Sequence, residues 1–539
     1  MKQWSLWVGL MAASTLIPAA LAQSATPVRG GTVVDSLYEE PDSILPNAGA
    51  PMVFAEMVQN TLFTPLLYTG PHGNLRPGLA SEVPSLQNGG ISKNGLTYTF
   101  HLRPGLKWSD GKPLTSADIA FTANLWKNPQ YAGTSKIGYP DIASVSTPNS
   151  TTVVFHLKKV FPPFLYAWAN YYMPVPKHIL DHTPPSQIGV GKFLHNPGAY
   201  SGPFMLKQWV VGDHITVVRN PYYYRKGYPY LNSIIFKIVP DQNTQLLALK
   251  AGEADIGYFL PITQYSLLKS MRGFKLTLGT VPPGWESIWL NEQDPALKST
   301  KVRLALTYGL NREQMIKDVW HNLALPIANA QPPGDVSYDP SIKPLPYDPA
   351  KAAQLLKEAG WVKGSNGMLE KNGKPFVIVY STTSGNPWRS QDEQIVQSDW
   401  GKLGIQVKIV NYPASTFFGT IVPKGKADAM EFEELNLPSP GLYLPNFYES
   451  NKIPPNGQNY EHYNNPKVDA LIHQMNVTVN PKQLMHIYHE IGRITAAQVP
   501  MIYLYAPPNL AVNSTRLHNY NQNNFAYDTW NSWEWWVSK

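Results

Sequence analysis

The chain has 539 residues, a formal charge of +7 and no cysteine. The absence of cysteine excludes disulfides, thiolate metal sites and cysteine catalysis, and the length is sufficient for two or more domains. The longest basic groupings are pairs such as Lys158-Lys159, whereas a nucleic-acid binder would collect Lys and Arg in a stripe. Aromatic residues make up 12% of the chain, which suits pockets for small polar ligands and equally suits large packed cores.

The first 22 residues have the pattern of a secretory signal peptide. Lys2 supplies the positive charge, residues 6–17 are mostly apolar, and residues 20–22 (Ala-Leu-Ala) fit the cleavage pattern, with the cut expected before Gln23. The alternative is a membrane anchor, since about 20 apolar residues span a bilayer. Pro18 and the small residues after it favour the signal peptide. We therefore expect an exported, periplasmic protein without a lipid anchor, because no lipobox cysteine follows the signal.

Strand-like runs alternate with helical ones along the whole chain, which predicts a mixed α/β fold. Residues 96–102 alternate apolar and polar side chains at period two, as a half-buried strand does. Asp110-Gly111 then predicts a tight turn, and Thr115 followed by Asp118 predicts a capped helix that runs toward Trp126. Further strands are predicted at residues 31–36, 151–157, 215–219, 234–239, 376–380 and 405–410.

Proline and glycine mark several helix ends. A polar cap followed by proline predicts helices that begin at Pro349, Pro466 and Pro481. Gly252 and Gly360 are expected to close helices. No period of 20–50 residues recurs in the chain, so a solenoid or propeller is not expected.

Three blocks between residues 75 and 121 resemble a family signature. They read PGLASE at 77–82, GLTYTFHLRPG at 95–105 and KWSDGKPLTSADI at 107–119. Together they resemble the large extracytoplasmic solute-binding proteins of peptide and nickel ABC importers, the dipeptide- and oligopeptide-binding family. Further stretches resemble the same family at 29–32, 41–46, 202–224, 246–256, 302–312 (a helix of the second lobe) and 501–505 (a strand returning to the first lobe).

The resemblance implies the two-lobed periplasmic-binding-protein fold, in its large form with three subdomains and a ligand cleft between the lobes. Two crossings, near 279–291 and 500–508, would join the lobes, and the lobes would close on the ligand as a hinge. The implied domains are the signal peptide at 1–22, the first part of lobe I at 23–64, an extra subdomain of lobe I at 65–198, the continuation of lobe I at 199–281, lobe II at 282–505 and a C-terminal return to lobe I at 506–539.

Motifs of known catalytic classes are absent from the sequence, including G-x-S-x-G, H-E-x-x-H and the P-loop. His486 and His489 are three residues apart on one predicted helix, but with no third ligand evident they are interpreted as surface histidines. Glu39-Glu40 has no partner for acid–base chemistry, and contact with ligand or solvent is expected. We predict no catalytic residue, metal or cofactor. The rival class is an exported hydrolase, which would need two positioned carboxylates or an activated nucleophile.

Arg389 is the leading candidate for ligand binding. In the dipeptide-binding branch an arginine in this region of lobe II binds the ligand's carboxylate, and guanidinium offers that group a planar bidentate donor. The alternative is a surface arginine ahead of a helix at 391–400. The resemblance also places Trp388, Trp285 and Glu286 in the cleft, with Tyr38 and Met52 beside a loop of the first lobe.

The amine-binding site departs from the family pattern. Relatives read W-x-x-D after the strand that begins near Asp428, and the aspartate pairs with the peptide's amine. Here Glu433 stands at the tryptophan position and Asn436 at the aspartate position. Because asparagine cannot neutralise a buried ammonium, either Glu433 or Glu434 takes that role or the ligand has no amine there.

The resemblance implies a function in transport rather than catalysis, namely ligand capture for an ABC importer. A peptide is the first choice of ligand. An oligosaccharide is the alternative, because aromatic side chains in a cleft stack on sugar rings as readily as on peptides. The implied partners are this small polar ligand and a membrane permease. Neither a nucleic acid nor a second copy of the chain is expected.

Overall fold

The computed structural model describes residues 26–538 apart from 50–52, 72, 134–137, 171, 259, 280–283, 414–415, 436–439, 455, 479 and 524. The predicted signal peptide, Met52 and Asn436 therefore lie outside the described residues. Within the described ranges, no helix combines the length and the apolar composition needed to cross a membrane.

The largest sheet in the described part of the chain has seven strands and belongs to lobe I. Its central strand, Thr32–Leu37, runs parallel to both neighbours, and the other pairings are antiparallel. In spatial order the strands are Phe274–Leu278, Leu510–Ser514, Ile256–Tyr258, Thr32–Leu37, Ser233–Ile238, His214–Arg219 and Phe204–Val210. Leu510–Ser514 thus joins this sheet from the far end of the chain.

The second sheet has five described strands and belongs to lobe II. Gly284–Leu290 is buried along its whole length and pairs antiparallel with a strand on each side. In spatial order the strands are Gln406–Ile409, Val377–Ser381, Ala429–Leu435, Gly284–Leu290 and Met501–Tyr505. Met501–Tyr505 completes the sheet of lobe II, and the chain crosses to lobe I directly after this strand.

Smaller sheets complete the strand set. Three strands, Thr97–His101, Thr152–Leu157 and Ile142–Asn149, form a sheet of their own inside the predicted extra subdomain. The remaining short strands are Leu67–Thr69 with Leu75–Pro77, Val362–Lys363 with Leu369–Lys371 and Lys374–Pro375, and Leu517–His518 with Trp536–Val537. Every strand predicted from the sequence is present, with each end within one residue.

The helices cover the sheets and connect them. The α-helices are Val53–Leu62, Ser116–Lys127, Phe164–Asn170, Lys177–Leu180, Pro185–Ile188, Lys192–His195, Gln242–Ala251, Tyr265–Ser270, Thr300–Tyr308, Arg312–Asp318, Pro349–Glu358, Pro387–Leu403, Pro440–Tyr448, Pro466–Met475 and Pro481–Gln498. Short 3₁₀ segments lie at Tyr139–Asp141, Ile262–Gln264 and Asp528–Glu534, and a π-helical turn lies at Phe417–Ile421.

The predicted helix starts are confirmed by their caps. Thr115 and Asp118 form a reciprocal capping box at the start of Ser116–Lys127, and the three Asx-Pro starts each have the polar side chain accepting backbone N–H groups. The tight turn places Gly111 at a φ of 83°, which favours glycine. The single helix expected at 302–312 is wrong, because Asn311 caps a second helix and the first ends at Tyr308.

The chain passes between the two large sheets twice, and the two crossings lie side by side. The first joins Phe274–Leu278 to Gly284–Leu290, and Gly279 is its one described residue. The second consists of residues 506–509, between Met501–Tyr505 and Leu510–Ser514. The backbone N–H of Gly279 donates to the carbonyl of Asn509 at 2.7 Å. The two crossings are therefore hydrogen-bonded to each other where the lobes meet.

Candidate functional site

A cavity that encloses about 500 Å³ of space, part of it open to solvent, lies between the lobes beside the second crossing. Both lobes and the crossing itself contribute to its wall. The described lining residues are Tyr258, Leu260 and Ile262 from lobe I, Trp320, Trp388 and Glu433 from lobe II, and Pro507, Pro508, Asn509 and Leu510 from the crossing and the strand that follows it. The cavity occupies the position at which the resemblance places the ligand cleft.

The cavity wall is mainly aromatic and aliphatic. Trp320 and Trp388 lie edge to face at 6.0 Å between ring centroids. The side chain of Asn509 is oriented by a hydrogen bond, in which its Nδ2 donates to Asp528 Oδ1 at 3.1 Å. Among the described lining residues, Glu433 is the single carboxylate. A ligand in this cavity would meet an apolar surface with one acidic group.

Arg389 lies behind this wall in a buried ion pair. Asn386 caps the helix Pro387–Leu403, accepting from the backbone N–H groups of residues 388 and 389, and so sets Arg389 in the first turn. Arg389 Nε donates to Glu286 Oε1 at 2.8 Å and Nη2 donates to Oε2 at 3.2 Å. A third bond runs from Nη1 to Thr383 Oγ1 at 2.9 Å. With Glu286 0% and Arg389 8% exposed, this is a bidentate pair shielded from water.

The surface-arginine alternative is therefore wrong. The helix predicted at 391–400 begins earlier, at Pro387, so that Arg389 is inside it and its side chain reaches Glu286 on the strand Gly284–Leu290. The carboxylate-binding role of Arg389 stays a prediction. In this structure, two N–H groups of its guanidinium donate to the carboxylate of Glu286 instead.

More carboxyl groups than cations surround this pair. Asp392 follows Arg389 on the helix, and Glu431 precedes Glu433 by two residues on the strand Ala429–Leu435. The Tyr505 hydroxyl donates to Asp392, and the Tyr380 hydroxyl donates to Glu431. Burial raises the pKa of Asp392 to about 8 and raises the pKa of Glu431 well above its usual range. The excess of acids over the one arginine is thus accommodated by protonation.

Glu433 and Glu434 face opposite sides of their strand, as neighbours on a strand must. Burial and, to a smaller extent, the charge of Glu286 raise the pKa of Glu433 to about 8, although the charge of Arg389 acts to lower it. Glu434 accepts a long hydrogen bond from Gln458 Nε2 at 3.4 Å, inside lobe II, and burial raises its pKa to about 8. Glu433 alone of the two lines the cavity.

The other predicted site residues are divided between the cavity and the core. Trp388 lines the cavity. Trp285 is 0% exposed and packs against Tyr443 and Phe447 inside lobe II, with centroids 6.0 and 5.9 Å away. Tyr38 is half-buried, with its ring 6.4 Å from that of Phe54. The ligand-binding roles of all the predicted residues stay predictions.

Several residues of the site were not found from the sequence. Those in the cavity wall come from short, unremarkable stretches on both lobes, Tyr258 to Ile262 and Pro507 to Leu510. The positions of Asp392 and Glu431 could have been predicted from their spacing. Asp392 is three residues after Arg389 on one helix, and Glu431 is two residues before Glu433 on one strand, so that each pair shares a face of its element. That spacing would have placed both acids at the ion pair.

The acid and histidine pairs noted in the sequence have structural contacts. Glu40 Oε1 accepts from Trp209 Nε1 at 2.8 Å and from the Gly212 N–H at 3.0 Å, so Glu40 is held by a neighbouring hairpin. His489 Nδ1 is 3.7 Å from Asp339 Oδ2. Within the described ranges, groups of three or more potential metal ligands do not come together.

Two lobes, two adjacent crossings and a cavity between them define the class of hinged extracytoplasmic binding proteins. Residues 74–454 match the family model of the bacterial extracellular solute-binding proteins, family 5. The chain belongs to this family, whose members bind solutes for transport and are not enzymes. The predicted family and the two-lobed α/β fold are confirmed.

Individual relatives agree with this assignment. The chain is 29% identical over 517 residues to the oligopeptide-binding protein AppA of Bacillus subtilis strain 168, which covers 92% of each chain. The structure of that protein in complex with a nonapeptide has a TM-score of 0.84 at 28% identity and covers 95% of this chain and 100% of that one. NikZ from Campylobacter jejuni in complex with Ni(L-His) has a TM-score of 0.83 at 25% identity, covering 94% and 99%.

Proposed function

We propose that this protein captures peptides outside the cytoplasm and delivers them to the membrane permease of an ABC importer. The observation that carries the proposal is the cavity between the lobes, because its wall is built from both lobes and from the crossing that joins them. A ligand held there contacts both lobes at once, so binding energy can stabilise the closed arrangement.

The choice of a peptide is supported by the chemistry of the cavity wall and by the relatives. AppA is named an oligopeptide-binding protein, and its structure contains a nonapeptide. The mainly apolar wall with one carboxylate suits part of a peptide better than a sugar, whose many hydroxyls need polar partners.

Location and domain boundaries complete the proposal. We propose a periplasmic monomer that begins at Gln23 and has no lipid anchor, since the chain contains no cysteine that could be acylated. Lobe I would consist of residues 23–64, 65–198 and 199–281 with the return at 506–539, and lobe II of 282–505.

Native mass spectrometry of the protein exported by its host tests the ligand class and the processing together. We expect a chain that begins at Gln23 with a retained peptide, which is released as a separate ion on activation. The control is the same protein unfolded, dialysed and refolded, which should lack the extra mass. A retained oligosaccharide would contradict the peptide proposal, and a chain that keeps residues 1–22 would contradict the proposed processing.

We also expect peptide binding to draw the lobes together. Pro507 and Pro508 have no N–H and cannot join the ladder of either sheet, so the motion can be concentrated in residues 506–509 and the neighbouring first crossing. Solution scattering on the refolded, empty protein should give a larger radius of gyration than on the same sample saturated with a peptide pool. An unchanged radius at saturation would contradict closure about these crossings.

A further inference from the structure

We infer that lobe II has a second binding site, separate from the cavity between the lobes, for a small oxyanion such as phosphate, sulfate or a carboxylate. The groups that would bind the anion are the guanidinium of Arg312 and the ammonium of Lys343. The inference goes beyond the proposed function, because the capture of a peptide between the lobes does not require an anion at this place.

The first argument is a pocket of lobe II whose wall contains both cations. The pocket encloses about 280 Å³ of space, part of it open to solvent, and Arg312 and Lys343 both line it. The other described lining residues are aliphatic or carry a hydroxyl group, and none of them is a carboxylate. None of them lines the cavity between the lobes either. The pocket is therefore a distinct place with a positive wall.

The second argument is that Arg312 is buried without a counter-charge. The residue is 9% exposed. Its Nη1 donates to the carbonyl of Tyr503 at 2.8 Å, and its Nη2 donates to the carbonyl of Leu345. These two bonds use two of the five N–H groups of the guanidinium, and the other three have no partner in the part of the chain that the structure describes. Among the described carboxylates, the one whose charge acts on Arg312 is the exposed Glu313, which follows it in the chain.

The other two buried arginines of the described chain show what is missing. Arg389 is paired with Glu286 at 2.8 Å, and Arg303 Nη1 lies 3.1 Å from Glu292 Oε2. Burial lowers the pKa of Arg312 to about 10, since no adjacent buried carboxylate compensates for the loss of water. A buried charge without a partner is costly. An anion in the pocket would supply the partner that the protein itself supplies to Arg303 and Arg389.

The third argument is the chemistry of the two cations together. A guanidinium offers planar, bidentate donors to phosphate and carboxylate groups, and an ammonium on a flexible stem adds a point charge. Lys343 is exposed at the pocket and has no ion pair within the described ranges. The hydroxyl groups of the wall are already engaged, because Thr307 donates to the carbonyl of Arg303 and the hydroxyl of Tyr503 is bonded to that of Tyr448. Recognition therefore rests on charge.

The test measures the binding of inorganic phosphate to the refolded full-length protein. Sodium chloride holds the ionic strength constant, so that general screening does not change during the titration. An anion that binds the folded state raises the midpoint of thermal unfolding, and we expect a rise that saturates with phosphate concentration. Parallel titrations with sulfate and with acetate distinguish an inorganic oxyanion from a carboxylate by the concentration at half-saturation. The response to phosphate should be the same in protein saturated with peptide.

Three variants assign the response to this pocket. Lys343→Ala should raise the half-saturating phosphate concentration about tenfold, as the loss of one charged partner predicts. Lys317→Ala, the matched control, removes another exposed lysine of lobe II that lines neither cavity, and it should behave as the wild type. Arg312→Gln should abolish the saturable response. If Arg312→Gln does not fold, Lys343→Ala decides the question, because its side chain is exposed and its loss leaves the fold intact.

The contrary outcomes are distinct from failure of the proposed function. A midpoint that rises without saturating, or equal half-saturation in Lys343→Ala and the wild type, would overturn the inference. Loss of the phosphate response in protein saturated with peptide would place the anion between the lobes and overturn it as well. Each of these results leaves peptide capture standing, whereas failure to bind any peptide would contradict the proposed function and leave the response to phosphate unaffected.

Discussion

Replacing Arg389 with alanine is expected to lower the free energy of unfolding by about 3–5 kcal/mol, the cost of removing one member of a buried ion pair. The substitution leaves Glu286 buried next to Asp392 and Glu431, with its two charge-assisted hydrogen bonds lost.

Denaturant unfolding of the empty protein measures this effect. The matched control is Arg493→Ala, which removes an arginine that is about half exposed and lies 2.9 Å from Asp339; exposed pairs of this kind contribute only about 0–1 kcal/mol. The double variant Glu286→Leu/Arg389→Met should lose less than Arg389→Ala alone, because no unpaired charge remains. A loss below about 1 kcal/mol for Arg389→Ala would show that the pair is not buried as the structure has it.

Acidification should stabilise the empty protein. Asp392 and Glu433 each have a pKa of about 8 in the folded state, against about 4 when unfolded. Between those values the folded protein holds protons that the unfolded chain has lost, so stability falls as the pH rises. This contribution is complete below about pH 4 and is lost as the pH rises to about 8. Each group can contribute a slope of at most about 1.4 kcal/mol per pH unit.

The measurement is the free energy of unfolding at pH 5.5 and pH 8.5, and we expect a decrease of at least about 1 kcal/mol over this interval. Carboxyl groups with lowered pKa, such as Asp213 and Asp339, titrate below this range and do not oppose the effect. Asp392→Asn should flatten the profile, because it removes a buried group that holds its proton in the folded state until the pH rises to about 8. Stability that rises with pH in the wild type would contradict the assignment of protonated carboxyls around Arg389.

The sequence by itself determined the family, the fold class and most of the local structure. The blocks at 77–82, 95–105 and 107–119 carried the resemblance, and strands and capped helices were predicted to within about a residue because their signals are local. Alternation at period two marks a strand through adjacent side chains, and a cap such as Thr115 acts on backbone groups within three residues of it. Neither requires knowledge of what lies elsewhere in the chain.

The tertiary structure alone decided how the candidate site is assembled. Arg389 and Glu286 are 103 residues apart, and the resemblance placed both in the cleft without indicating that each is the other's partner. The sequence did not distinguish Glu433 from Glu434 as a site residue. The pairing of Ala429–Leu435 with Gly284–Leu290 sets the register of this strand, and because neighbouring side chains on a strand point to opposite faces, Glu433 lies at the cavity and Glu434 lies inside lobe II. The cavity wall likewise joins residues near 260, 320, 388, 433 and 508. Contacts of this kind depend on the packing of distant segments, which the pattern of neighbouring residues does not encode.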